Sequence, residues 1–151
     1  MKSIHVVVIG GGYGGIRAIE RLTTNSDIRI TLIDKNPYHY MQPEVYDFIA
    51  NKVDMSDIII DLPSLCKSFG LVEFICDEAT GIDPQTSTVS LSTQSIRFDY
   101  LIIANGSRTH FPDVIKGLRE HTHGVKSIPA ALNFKQQFER ALLNRIETQT
   151  R

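Results

Sequence analysis

The sequence has few cysteines, no long apolar run and no excess of charge of either sign. Its 151 residues include two cysteines, Cys66 and Cys76, whose spacing fits neither a CxxC redox pair nor a zinc site. We therefore expect two reduced thiols in a cytoplasmic protein. No segment approaches the roughly 20 apolar residues that cross a bilayer. Residues 4–9 form an apolar run too short for the core of a signal peptide.

The balance of charge excludes several classes of partner. Sixteen Lys and Arg residues oppose 17 Asp and Glu residues, which gives a net charge of -1. The sequence therefore predicts no basic face for nucleic acid and no polybasic membrane patch. His110, His121 and His123 lie in a polar stretch without a nearby cysteine or a helical i, i+4 pair, so we expect no metal site.

The first 34 residues follow a strand, turn, helix and strand pattern. Ile4–Ile9 is a β-branched apolar run, typical of a strand buried on both faces of a parallel sheet. A glycine-rich turn over residues 10–15 leads into an apolar helical periodicity that ends near Asn25. A second strand, Ile28–Ile33, stops at Asp34. This pattern predicts a βαβ unit.

The glycines of this unit match the dinucleotide fingerprint GxGxxG. Gly10 would allow the tight turn, Gly12 the close approach of a pyrophosphate, and Gly15 the packing of helix on strand. Asp34 follows Gly15 by nineteen positions, where a carboxylate can accept hydrogen bonds from ribose hydroxyls and would repel a 2′-phosphate. The alternatives are a glycine turn without a ligand and an exposed acid at a strand end.

The remaining chain predicts further strands and helices around one core, for which 151 residues suffice. We expect a helix from Pro43, a short helix at 63–69, a strand at 71–76, a buried strand at 100–104 closed by Asn105 and Gly106, and a helix at 129–147. Three short strands with polar turns, at 79–82, 88–92 and 95–98, predict an antiparallel meander between the third and last strands. Residues 108–126 read as a polar loop.

The fingerprint, the inserted meander and the buried strand ending Ala104-Asn105-Gly106 resemble the FAD-binding domain of flavoproteins with two dinucleotide folds. Within that superfamily the chain is similar to type II NADH:quinone oxidoreductases and their sulfide:quinone reductase relatives. The resemblance is carried by VVVIGGGYGGIRAIERL, ITLIDKNPYHYMQPEVYDFIA, EATGID, FDYLIIANGS and GLREHTHGVKSIPAALNFKQQF. It implies an α/β fold, a Rossmann-like parallel sheet with a three-stranded antiparallel β-meander inserted, in incomplete form.

The resemblance also implies which residues hold the cofactor FAD. The pyrophosphate would lie on the glycine turn, the adenosine on the residues at the end of the second strand, and the adenine against the backbone of the first meander strand. Asn105 stands where relatives have threonine, and the glycine of the turn, Gly106, is kept. The implied cofactor-binding residues are Gly10, Gly12, Tyr13, Gly14 and Gly15 for the pyrophosphate, Asp34 and Lys35 for the adenosine, Ala79 for the adenine, Gln42 and Pro43 for the flavin end, and Ala104 and Gly106 for the central part.

Electron transfer from NADH through FAD to a quinone is the activity that the resemblance implies for the whole protein. Disulfide reductases of the superfamily carry a cysteine pair after the Asp34 region, where this chain has Met41–Tyr46, so no dithiol relay is expected there and no catalytic residue is assigned. We expect residues 1–151 to form the N-terminal segment of the FAD domain, with the NADH domain and the C-terminal completion absent.

Two other functions are open at this stage. One is a sulfide:quinone reductase-like flavoprotein, and the other is a non-catalytic nucleotide-binding or interaction module. In the second case the open sheet edge could pair with another copy and form a homo-oligomer. For the whole protein, a peripheral position on the cytoplasmic face of a membrane is a further expectation.

Overall fold

The structure is a computed structural model that describes residues 3–149. The described chain divides into two compact units. The first contains the residues up to His39 together with Ile60–Gly106, and the second contains Tyr40–Ile59 and the residues from Ser107 onward. Each unit has its own hydrophobic core.

A four-stranded parallel sheet forms the centre of the first unit. Its strands are β1 (Ile4–Ile9), β2 (Ile28–Asp34), β5 (Val72–Cys76) and β9 (Tyr100–Ile103), in the order β5-β2-β1-β9. Two short strands, β3 (Tyr38–Tyr40) and β4 (Ile59–Asp61), pair separately. Because parallel strands end at one edge, the residues that follow β1, β2 and β9 meet at the carboxyl edge of the sheet.

Both faces of the sheet are covered at β1, which explains why this strand is apolar without alternation. Val6 and Val8 pack with helices α1 (Tyr13–Leu22) and α3 (Leu62–Ser68) through Ile19 and Leu62. On the opposite face, Val7, Ile9 and Ile33 pack with Val89 and Leu91 of the meander. Successive strand residues point to opposite faces, so each of these residues needs an apolar neighbour on its own side. The expectation of a buried strand at 100–104 is wrong, because Tyr100 and Ile103 of β9 are exposed.

The meander consists of β6 (Ala79–Asp83), β7 (Thr88–Leu91) and β8 (Ser95–Arg97), joined as an antiparallel sheet in that order. Asp83 accepts hydrogen bonds from the backbone N–H groups of Gln85 and Thr86 and closes the first turn. The meander, the parallel sheet and its strand order confirm the α/β fold class that the sequence predicts.

The second unit is mainly helical. It contains α2 (Val45–Ile49), a 3₁₀ helix (Met55–Ile58), α4 (Leu118–His121) and α5 (Ile128–Gln149). Its core joins residues of α2, of the 3₁₀ helix and of the start of α5, namely Val45, Phe48, Ile49, Ile58 and Ala131. Within residues 3–149, no helix has the length and apolar character needed to span a membrane.

Several element boundaries differ from the sequence prediction. The helix expected from Pro43 begins at Val45, because Glu44 occupies its N-cap. The predicted polar loop at 108–126 contains the single-turn helix α4, which follows Gly117 in a left-handed conformation (φ 77°). Strands β3 and β4 were not predicted, because three-residue strands lack a detectable periodicity.

A hydrogen-bonded chain of polar side chains lies across β1, β2 and β5. The guanidinium of Arg29 donates to Nδ1 of His5 (2.9 Å), so the neutral ring carries its proton on Nε2. Nε2 donates to Oγ1 of Thr31 (2.9 Å), whose hydroxyl donates to the Glu73 carboxylate (3.2 Å). Burial and then the Arg29 charge lower the pKa of His5 below its usual value.

We predict that this network makes folding stability depend on pH. His5 binds a proton less readily in the folded state, so the free energy of unfolding is constant above the unfolded-state pKa of about 6.5 and falls below it. The slope cannot exceed about 1.4 kcal/mol per pH unit for one group. Urea unfolding of wild type and His5→Gln at pH 7.5, 6.5 and 5.5 measures it. Equal slopes in both proteins would show that His5 is not the cause.

Candidate dinucleotide site

The glycine turn between β1 and α1 is built from two glycines that no other residue can replace. Gly10 has φ +104°, and a Cβ there would stand 2.4 Å from the Ala104 carbonyl oxygen. A Cβ on Gly15 would stand 1.9 Å from the carbonyl oxygen of Gly10. The chain must therefore pass close to itself at both positions, as the sequence predicts for a tight turn and for helix-to-strand packing.

Gly12, in contrast, faces open space. A Cβ on Gly12 would meet no heavy atom within 4 Å. Gly12 is the N-cap of α1, with extended backbone, and neither a capping side chain nor an acidic residue in the first turn neutralises this helix end. The amino end of a helix carries partial positive charge and free N–H donors, so the open space beside Gly12 suits an anion such as a pyrophosphate.

Tyr13 and Gly14 complete the turn. The Tyr13 ring is 54% exposed and stands edge-on against the His39 ring, with 4.6 Å between the centroids. A Cβ on Gly14 would lie 3.6 Å from the Cβ of Ala104, an ordinary contact. Gly14, at a variable position of the fingerprint, therefore faces the end of β9 and not the open space beside Gly12.

Asp34 lies beside the turn and already orders it. Its Oδ2 accepts a hydrogen bond from the Gly11 N–H (2.7 Å), and its Oδ1 accepts one from the Asn36 N–H (2.8 Å). The Asn36 side-chain Nδ2 also donates to Oδ1 (3.4 Å). A carboxylate has about four lone-pair positions, so one remains for a ribose hydroxyl. Lys35, the next residue, is exposed and extends towards Glu78, with 3.8 Å between Nζ and Oε1.

The end of β9 lies next to the glycine turn. The Ala104 N–H donates to the Ile9 carbonyl (2.7 Å), and Gly106 turns the chain with φ +68°. Because β2 lies on one side of β1 and β9 on the other, the crevice between β1 and β9 is the position where open α/β sheets bind ligands.

Ala79 contributes to a cavity of about 190 Å³ within the first unit. The cavity lies between the carboxyl ends of the central strands and the first meander strand, and it is lined by Ile9, Ala79, Thr80, Gly81, Ile82, Ile103 and Asn105. A planar base could enter a cleft of this mixed polar and apolar lining, with backbone groups at its edge. The predicted adenine contact Ala79 thus lines this cavity, whereas the predicted central contacts, Ala104 and Gly106, are not among its lining residues.

Gln42 and Pro43 belong to the second unit. They precede α2, where the Gln42 carbonyl accepts from the Val45 N–H (3.3 Å). Gln42 is half-buried and Pro43 is exposed. Their role at the flavin end stays a prediction.

His39 is a residue that sequence reasoning missed. Its ring is 97% buried, and Nδ1 donates to the Gly11 carbonyl oxygen at 3.0 Å. The sequence places it only in an aromatic cluster, Tyr38-His39-Tyr40. No spacing rule connects it to a glycine 28 positions earlier, so only the fold brings the two together.

The two cysteines occupy different environments. Cys66 lies on the buried face of α3, and burial raises the pKa of its thiol to about 11. Cys76 is exposed at the end of β5, with Sγ 3.7 Å from the Lys35 carbonyl oxygen. In the part of the chain that the structure describes, no three His, Cys, Asp or Glu residues are placed to hold a metal.

We predict that a thiol reagent distinguishes these cysteines. The native protein should react quickly at one thiol, Cys76, because Cys66 is both covered and protonated at neutral pH. After unfolding in urea, two thiols should react. Titration with a chromogenic disulfide reagent on wild type, Cys66→Ser and Cys76→Ser measures both phases, and fast native reaction of the Cys76→Ser variant would contradict the assignment.

The arrangement can bind both the phosphates and the ribose of a nucleoside diphosphate. The uncapped amino end of α1 offers donors to phosphate oxygens, and Asp34 offers acceptors to a ribose. Both belong to the same unit and meet at the carboxyl edge of one sheet. The residues of this site therefore fit a dinucleotide, and none of them supplies a reactive thiol pair or a metal-binding site.

Comparison with known proteins identifies the family. Residues 4–146 match the pyridine nucleotide-disulphide oxidoreductase family. Sulfide-quinone reductase from Aquifex aeolicus (strain VF5) is 34% identical over 142 residues, 93% of this chain and 32% of the relative. Type II NADH:quinone oxidoreductase from Staphylococcus aureus (strain NCTC 8325 / PS 47) is 28% identical over 144 residues, 92% of this chain and 35% of the relative.

Solved structures agree with this result. The sulfide:quinone oxidoreductase of Aquifex aeolicus superposes with a TM-score of 0.83 at 33% identity, covering 93% of this chain and 33% of that one. NDH2 from Plasmodium falciparum in complex with NADH has a TM-score of 0.78 at 20% identity, over 99% of this chain and 30% of that one, and shares the fold. The chain spans about a third of the length of these relatives. With its fold, its glycine turn and this match over residues 4–146, the chain belongs to the pyridine nucleotide-disulphide oxidoreductase family.

Proposed function

We propose that this chain is the FAD-binding segment of a flavoprotein that passes electrons from NADH through FAD to a quinone. The observation that carries the proposal is the open, uncapped amino end of α1 at Gly12, with Asp34 beside it. The meander inserted between β5 and β9 supports FAD over NAD, because an NAD-binding fold would continue with alternating strands and helices.

In this proposal each end of FAD has its own residues. Gly12 and Tyr13 would hold the pyrophosphate, in the turn that Gly10, Gly14 and Gly15 shape. Asp34 and Lys35 would hold the adenosine, and the backbone of Ala79 the adenine. Ala104 and Gly106 would line the central part, with Gln42 and Pro43 towards the flavin end. The isoalloxazine supplies the hydride-accepting chemistry when bound, and the chain's residues orient it.

The quinone assignment rests on the names of two relatives, both of which are quinone reductases. A quinone partitions into lipid, so the whole protein would act as a peripheral protein at a membrane surface. NADH would bind in sequence that lies outside this chain, because residues 1–151 contain one glycine fingerprint of this type.

Sulfide is the second candidate electron donor. The sulfide-quinone reductase relative is 34% identical, against 28% for the NADH:quinone relative. Of the chain's two thiols, one is buried and the other lies at the end of β5 near Lys35, on the adenosine side of the proposed site. Neither thiol of this chain therefore decides between sulfide and NADH as the electron donor.

The absorption spectrum tests the cofactor. The purified chain mixed with FAD and desalted should retain a flavin band near one equivalent, with quenched flavin fluorescence. Saturable NADH binding without flavin uptake would overturn the FAD assignment. For the donor, quinone reduction by the full-length protein should proceed with NADH and not with sulfide, and the reverse preference would select the second candidate.

A further inference from the structure

His39 and Asp34 both hold the glycine turn at the same residue, Gly11. The Gly11 residue is fixed at both of its backbone polar groups, since its N–H donates to Asp34 (2.7 Å) and its carbonyl accepts from His39 Nδ1 (3.0 Å). A carbonyl can only accept, so the proton lies on Nδ1 in this contact. At 3% exposure, His39 is one of the few buried polar side chains of the unit.

The His39 contact determines the direction of the next N–H. The Gly11 carbonyl and the Gly12 N–H belong to one peptide unit, which is planar and trans, because the described chain has no cis peptide bond. In a trans peptide these two groups point in opposite directions. Fixing the carbonyl on His39 therefore directs the Gly12 N–H away from the buried ring. No residue among 3–149 accepts a hydrogen bond from that N–H.

We propose that His39 is a positioning residue of the dinucleotide site, which presets the Gly12 N–H to donate to the pyrophosphate. The inference rests on the proposed function. Glycine is the most flexible residue, so an unrestrained Gly11–Gly12 peptide would sample several orientations, and ordering it would cost part of the binding free energy. The ring also stands edge-on against Tyr13, at 4.6 Å between centroids, which restrains the first residue of α1.

Two substitutions separate the hydrogen bond from the packing. His39→Phe keeps an aromatic ring but removes the N–H donor, whereas His39→Asn places an amide N–H near the position of Nδ1. We expect His39→Phe to weaken binding of FAD and of ADP-ribose about tenfold. His39→Asn should stay within about threefold of wild type. His110→Phe, at an exposed histidine of the other unit, is the matched control and should change nothing.

Adenosine binding distinguishes a positioning role at the pyrophosphate from a general structural role of His39. It lacks the pyrophosphate, so its affinity, measured by NMR titration, should be equal in wild type and His39→Phe. Equal weakening for adenosine and ADP-ribose would overturn the inference and assign His39 a general structural role. Unchanged FAD affinity in His39→Phe would overturn it as well. A wild-type chain that binds neither FAD nor ADP-ribose would instead overturn the proposed function, and this inference with it.

Discussion

Replacing Gly12 with alanine should leave the chain folded and weaken FAD binding about ten- to hundredfold, because the added methyl group pushes the pyrophosphate out of reach of the Gly12 N–H. The added Cβ meets no protein atom within 4 Å and the backbone φ of -81° suits any residue, so folding tolerates it. The stability change should stay within about 1 kcal/mol, because a poorer N-cap and a stiffer unfolded chain offset each other. The methyl group would occupy the space that the pyrophosphate needs.

Gly15→Ala is the matched contrast and should destabilise the fold itself. Its Cβ would stand 1.9 Å from the Gly10 carbonyl oxygen, so α1 must move away from β1. We expect a loss of about 3 kcal/mol or more in the free energy of unfolding, at the upper end for overpacking. Urea unfolding and FAD titration of both variants measure the pair. Similar stability losses in Gly12→Ala and Gly15→Ala would refute the division of roles within the turn.

Asp34→Ala is expected to lower FAD affinity about a hundredfold, because the charged acceptor for the ribose and the restraint on the turn are lost together. The carboxylate accepts from the N–H groups of Gly11 and Asn36, so its removal also leaves two backbone donors without their partner. We therefore expect a loss of about 1–3 kcal/mol in the free energy of unfolding.

Asp34→Asn separates these effects. Its amide oxygen can still accept from the Gly11 N–H, but its Nδ2 cannot accept from the Asn36 N–H. Stability should therefore recover about half of the loss while FAD affinity stays reduced about tenfold. Asp27→Asn, an exposed carboxylate of the same unit, is the control and should match wild type. Full FAD affinity in Asp34→Asn would show that the carboxylate charge does not contribute to ribose binding.

Residues whose structure is decided locally were predictable from the sequence. The run Ile4–Ile9 becomes β1 with the predicted boundaries, because β-branched residues without alternation fit only a strand covered on both faces. The polar turn at Asp83 closes a hairpin through its own carboxylate. The roles of Gly10 and Gly15 follow from the motif, since the same two close approaches recur wherever a strand turns directly into a helix.

Features that depend on distant partners were not predictable. His39 acquires its role from a carbonyl 28 positions earlier, and Tyr40 donates its hydroxyl to the Val125 carbonyl at 2.9 Å, 85 positions away. Burial raises the pKa of that tyrosine to about 12, so its phenol stays a donor. The short helices of the second unit likewise form around a shared core and carry little periodicity of their own.

The measurement that most directly tests the central claim is a crystal structure of the chain with FAD bound. We predict a pyrophosphate oxygen within about 3.2 Å of the Gly12 nitrogen, with the adenosine ribose hydroxyls on Asp34. A dinucleotide bound elsewhere on the chain, with the amino end of α1 still open to solvent, would contradict the proposed site.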